Sequence, residues 1–76
     1  MDGWYMIYDK NGWSMLDAPI RGFDGAAKWV EGHRDGRVLF DHRDRESTHV
    51  RYMDESGGMG KIVGYIKRVD SKENQE

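Results

Sequence analysis

The chain has 76 residues, one proline, and 12 Lys+Arg against 14 Asp+Glu, for a formal net charge of −2 at pH 7. That length holds one domain, and a domain this small leaves little spare stability for a deep, strained active site. The near-neutral balance argues against a general nucleic-acid coat or a polybasic membrane anchor. The absence of cysteine excludes a disulfide framework, a thiolate zinc site and a Cys nucleophile.

Trp4 to Tyr8 is rich in aromatic and β-favouring residues and reads as a strand covered on both faces. Asp9-Lys10-Asn11-Gly12 follows, and Asn-Gly tolerates the positive φ of a tight hairpin turn. Trp13 to Ala18 is therefore expected to return antiparallel. Pro19, with no N–H to donate, is expected to end that ladder.

The segment from Asp24 to His33 is the one credible helix. Ala26, Trp29, Val30 and His33 share a helical face, with Lys28 and Glu31 opposite. Asp24 is expected as N-cap, and Gly32 or Gly36 as the stop. Two to three turns are not stable alone, so Trp29 and Val30 must dock on a sheet.

Arg37 to His42 reads as a third strand. Thr48 to Met53 alternates with period two, placing Thr48, Val50 and Tyr52 on one face and His49 and Arg51 on the other. After the Ser56-Gly57-Gly58-Met59-Gly60 loop, Lys61 to Val69 forms the last strand, in which Gly64 marks a bulge or a close backbone approach.

The order β-β-α-β-β-β, joined by short connections, predicts an α+β fold. It is a small antiparallel twisted sheet of about five strands with one short helix on one face. A small rolled β-barrel is the structural alternative. The expected core holds Met6, Ile7, Leu16, Ala26, Trp29, Val30, Val38, Phe40, Val50, Ile62 and Ile66. Residues 1–69 make a single domain and residues 70–76 a flexible acidic tail without an apolar anchor. No apolar run approaches the ~20 residues of a membrane span. The start of the chain lacks a basic, apolar leader, so the expected location is cytoplasmic.

No catalytic constellation stands out. Ser47 can be drawn with His49 or His42 and Asp41, but no serine lies in a strand-turn-helix elbow. His33, His42 and His49, with Asp41 and Asp44, lack the spacing of a recurring metal motif. Ser56 to Lys61 resembles a phosphate loop only superficially. Glu55 stands where the first glycine belongs, Ile62 follows the lysine, and a strand comes next. No enzyme activity, metal or cofactor is expected.

Two surfaces carry recognition chemistry. The stretch from Arg34 to Arg51 holds Arg34, Arg37, Arg43, Arg45 and Arg51 interleaved with Asp35, Asp41, Asp44 and Glu46. It reads either as a solvated edge laced with salt bridges or as an Arg-rimmed contact surface. The last strand is basic: Lys67 and Arg68, with Arg51, Tyr52 and Tyr65, could form a base-stacking platform with a backbone-tracking rim.

Nine aromatics and five Met are more than one small core readily hides. Met, Trp, Tyr and Arg lead protein-contact hot spots. The sequence thus points first to a non-enzymatic module that binds a partner protein as an inhibitor or adaptor. Its contact residues would be Trp13, Arg37, Arg43, Arg45, Arg51 and Tyr52, and an open sheet edge could support a homodimer. The alternative is single-stranded nucleic-acid binding through Arg51, Tyr52, Tyr65, Lys67 and Arg68. In size and lack of motifs alone, the chain is similar to small bacteriophage-encoded proteins that block or redirect a host protein by surface contact. That likeness assigns no residue.

Overall fold

A computed structural model describes residues 3–34 and 37–69. The expected tail, the possible stop at Gly36, and Asp35 of the charged stretch lie outside the described residues. The elements are β1 (Trp4–Asp9), β2 (Ile20–Arg21), α1 (Phe23–Gly32), β3 (Val38–His42), β4 (Ser47–Met53) and β5 (Met59–Val69). They form one curled five-stranded antiparallel sheet in the order β2-β1-β5-β4-β3, with α1 on one face. The α+β expectation holds.

The Asn11-Gly12 turn forms. Gly12 has φ 90°, its N–H donates to the Asp9 carbonyl at 3.0 Å, and the Asp9 N–H donates to the Trp13 carbonyl at 2.8 Å. The returning strand differs from expectation. Pairing reaches only Tyr8–Ser14 and the Met15 N–H to the Ile7 carbonyl, then lapses and resumes beyond Pro19. From Tyr8 back to Tyr5, the partner chain runs from Ser14 to Ile20, so three steps of β1 face six. Ser14 drives the departure: its hydroxyl donates to the Leu16 carbonyl at 2.8 Å and accepts the Leu16 N–H at 3.3 Å. Such local side-chain bonds compete with a ladder. Pro19 is buried immediately before β2, where its missing N–H disturbs no pair.

The helix starts two residues earlier than an Asp24 cap would place it. Gly22, at φ 83°, is the N-cap and no side chain caps the turn. A positive φ turns the chain directly out of β2, and the Gly22 N–H donates to the Gly3 carbonyl at 2.7 Å. Asp24 lies in the first turn instead, where its charge still suits the positive helix end. His33 is the C-cap. Its Nδ1–H donates to the Trp29 carbonyl at 2.8 Å, and its ring stacks on Trp29 at 3.9 Å.

Period two divides the sheet except where the β4–β5 register shifts beside Gly64. The helix side carries Tyr5 and Ile7 of β1, Ile66 of β5, Val50 of β4 and Phe40 of β3, packed with Ala26 and Val30. Each fully buried Ile or Val contributes about 1.5–3 kcal/mol of burial free energy. Tyr5 and Val63 belong to this core although no sequence pattern marks them for it. Leu16, Trp29, Val38 and Phe40 pack at its margin, Ile62 is half-buried, and Met6 is buried outside the cluster.

Gly64 marks a close approach, as expected. A Cβ there would lie 2.7 Å from the Tyr8 carbonyl oxygen, and the β4–β5 register shifts beside it. Because β1 pairs with β5 only from Gly64 onward, the β4–β5 hairpin runs on past β1 as a ribbon flanked by β3 alone, on its β4 side.

Candidate protein interface

The exposed large apolar side chains lie at the Asn11-Gly12 turn, along the strand after it, and on β4 and β5 of the projecting ribbon. Trp13 is 74% exposed, Met59 52%, Tyr52 40% and Met15 38%. Trp13 is held by its turn rather than by packing. Asp9 Oδ1 accepts the N–H groups of Asn11 and Trp13, each at 2.9 Å. Register places Trp13, Met15 and Tyr52 on the helix side of the sheet, just beyond the C-terminal end of α1.

Arg34 joins these residues. It lines one notch with Met15 and Trp29, and another, of about 260 Å³, with Tyr52, Asp9, Lys10, Asn11 and Val63. Its Nη2 donates to the Val63 carbonyl at 2.6 Å, which fixes the guanidinium between the two notches. The result is a patch of Met15, Trp29, Arg34 and Tyr52, which Trp13 extends along the strand from Met15 on the same face. Trp, Tyr and Arg are the residues that dominate contact hot spots, and an exposed ring on a rigid turn loses little entropy on docking. In the sequence, Arg34 is one basic residue among several in a charged stretch. Its position one residue past the helix cap is the signal that places it here.

The ribbon tip is closed by Asp54. Its Oδ1 accepts the Ser56 hydroxyl at 2.7 Å, the Gly58 N–H at 2.8 Å and the Ser56 N–H at 3.0 Å. These bonds, the Ser56 hydroxyl foremost and the Gly58 backbone next, hold the Asp54 carboxyl below its ordinary value of 3.8. Asp44 closes the β3–β4 turn in the same way through the Glu46 and Ser47 N–H groups, both at 2.8 Å.

The structure separates the expected contact residues. Tyr52 lines the Arg34 notch, and Trp13 lies on the same face across β1 and β5, next to Met15. Arg37 lies near Met53 at the start of β3, whereas Arg43 and Arg45 lie at its far end. Arg43 and Arg51 both contact Asp41 Oδ2, at 3.3 and 3.2 Å, and Arg51 also donates to the Gly60 carbonyl at 3.0 Å. The Arg-rich stretch is thus partly a salt-bridged edge.

The expected stacking set is divided too. Tyr65, Lys67 and Arg51 face away from the helix, while Tyr52 and Arg68 lie on the helix side. Arg68 folds against Gly3, where a Cβ would meet its Nε at 2.8 Å.

Among the described residues no group of three or more His, Asp or Glu converges as a metal site, and no helix is long and apolar enough to cross a membrane. Comparison with known families, curated proteins and solved structures returns no significant match.

Proposed function

We propose that this chain is a non-enzymatic binding module that contacts a partner protein through the patch at the C-terminal end of α1. It would act as an inhibitor or adaptor by occupying a surface of that partner. The observation that carries this reading is the 74% exposed Trp13 ring, set on a turn fixed by Asp9 beside Met15. A small chain gains nothing in its own stability from presenting an indole to water. Exposed apolar groups on one face, with Arg34 among them, are what a contact surface requires.

Capture from native lysate on immobilised protein tests the reading when run beside Trp13→Ala and Tyr52→Ala. A partner retained by the parent chain and lost with both variants supports it. No retained partner, or equal retention by both variants, counts against it.

A further inference from the structure

The sheet face away from the helix carries chemistry that the protein-contact patch does not use. Register lines up Tyr8 of β1, Tyr65 of β5 and His49 of β4 in one row across three adjacent strands. The next row holds Met6, Lys67 and Ser47. A half-open cavity of about 350 Å³ lies over these rows, lined by Tyr8, Gly12, Ser47, His49, Tyr65 and Lys67. Its size falls at the lower end of small-molecule sites.

Three observations give this face a ligand class. The first is charge. Whereas the whole chain carries −2, this face gathers Arg21, Lys67, Arg43 and Arg51, the last two sharing the Asp41 carboxylate. The second is the pairing of cations with rings. Lys67 Nζ lies 5.7 Å over the Tyr8 ring, and the Arg21 guanidinium 5.9 Å over Trp4. Cations beside π-faces suit a partner that is both anionic and planar.

The third is His49. Its ring meets Tyr65 edge-on at 5.2 Å, and its Nδ1 is buried with no hydrogen-bond partner among the described residues. With no acceptor for a proton on Nδ1, the tautomer protonated on Nε2 is favoured, so the ring offers an N–H donor on its other side.

We propose that this face binds single-stranded nucleic acid, with one base seated over the Tyr8–Tyr65–His49 row and its phosphate at Lys67. An acidic peptide would satisfy the cations but leave the ring row without planar partners, so the observations favour the nucleic acid. The proposal stands apart from the protein contact at the helix end, and either can fail alone.

The test is fluorescence anisotropy of a labelled twelve-residue oligodeoxythymidylate, with polyglutamate of matched charge as competitor. The oligonucleotide should bind at 50 mM salt. Its affinity should fall about seven- to twentyfold by 200 mM, as expected for two or three neutralised phosphates. Lys67→Gln and Tyr65→Leu should each weaken it about tenfold, the scale of one lost stacking or phosphate contact. Lys28→Gln, which removes an exposed helix cation, should leave it unchanged. Because Lys67 is exposed, its replacement tests the site without disturbing the core. No binding at 50 mM salt would overturn the proposal. So would equal displacement by polyglutamate, or full affinity in Lys67→Gln.

Discussion

Arg34 donates from Nη2 to the Val63 carbonyl at 2.6 Å, tying the residue beyond the helix cap to the middle of β5. This bond spans 29 residues of sequence and holds the guanidinium between the two notches of the contact patch.

Arg34→Ala therefore removes a charge-assisted bond and leaves the Val63 carbonyl to find water. Stability should fall by about 1–2 kcal/mol in urea denaturation. Partner capture should weaken as well. An unchanged midpoint would show that the bond contributes nothing in solution.

Gly64 faces the Tyr8 carbonyl oxygen so closely that an added Cβ would sit 2.7 Å from it. The obstacle is backbone in a paired strand and cannot swing aside. Gly64→Ala should destabilise by about 1–3 kcal/mol, as other overpacked substitutions do. At Gly32 an added methyl group would meet nothing within 4 Å, so Gly32→Ala is the matched control and should not destabilise.

Tyr5 is buried and its hydroxyl has no hydrogen-bond partner among the described residues. Its ring packs edge-on against Phe23 at 5.6 Å, a contact that phenylalanine would keep. Tyr5→Phe should raise stability by about 0.5–1.5 kcal/mol by removing an unsatisfied buried polar group. A loss of stability would show that the hydroxyl has a partner in solution.

Asp54 gives the ribbon tip a pH dependence. Its folded-state value lies below 3.8, so the ionised carboxylate favours the ordered turn. That contribution is fully present above the unfolded value and is lost as pH falls through the folded value, hence below 3.8. The Ser56 and Gly58 amide signals should move together in an NMR titration within that acidic window. In Asp54→Asn the same signals should show no such step.

Much of this architecture is legible in residue order. Asn11-Gly12 announces its turn because few sequences accept positive φ, and the period-two run from Thr48 to Tyr52 declares which side chains face the helix. The second strand departs from its expected place because Ser14 offers its hydroxyl to Leu16, a local bond that strand propensity does not register. The helix start departs because a positive-φ glycine does the turning expected of Asp24. Trp13 and Tyr52 are recognisable as contact residues by type. Arg34 is not, since its role depends on a bond to a strand far along the chain. Tyr8 and His49 join Tyr65 and Lys67 only through the β1–β5–β4 register, which no local pattern contains.

The central claim is that the Trp13 patch contacts a partner protein, and quantitative capture from native lysate tests it most directly. The parent chain and a Lys28→Gln control should retain the same protein in equal amount, while Trp13→Ala and Tyr52→Ala should each reduce it at least about tenfold, the scale of a hot-spot truncation. Equal retention by all four chains, or no specific retention by the parent, would contradict the account.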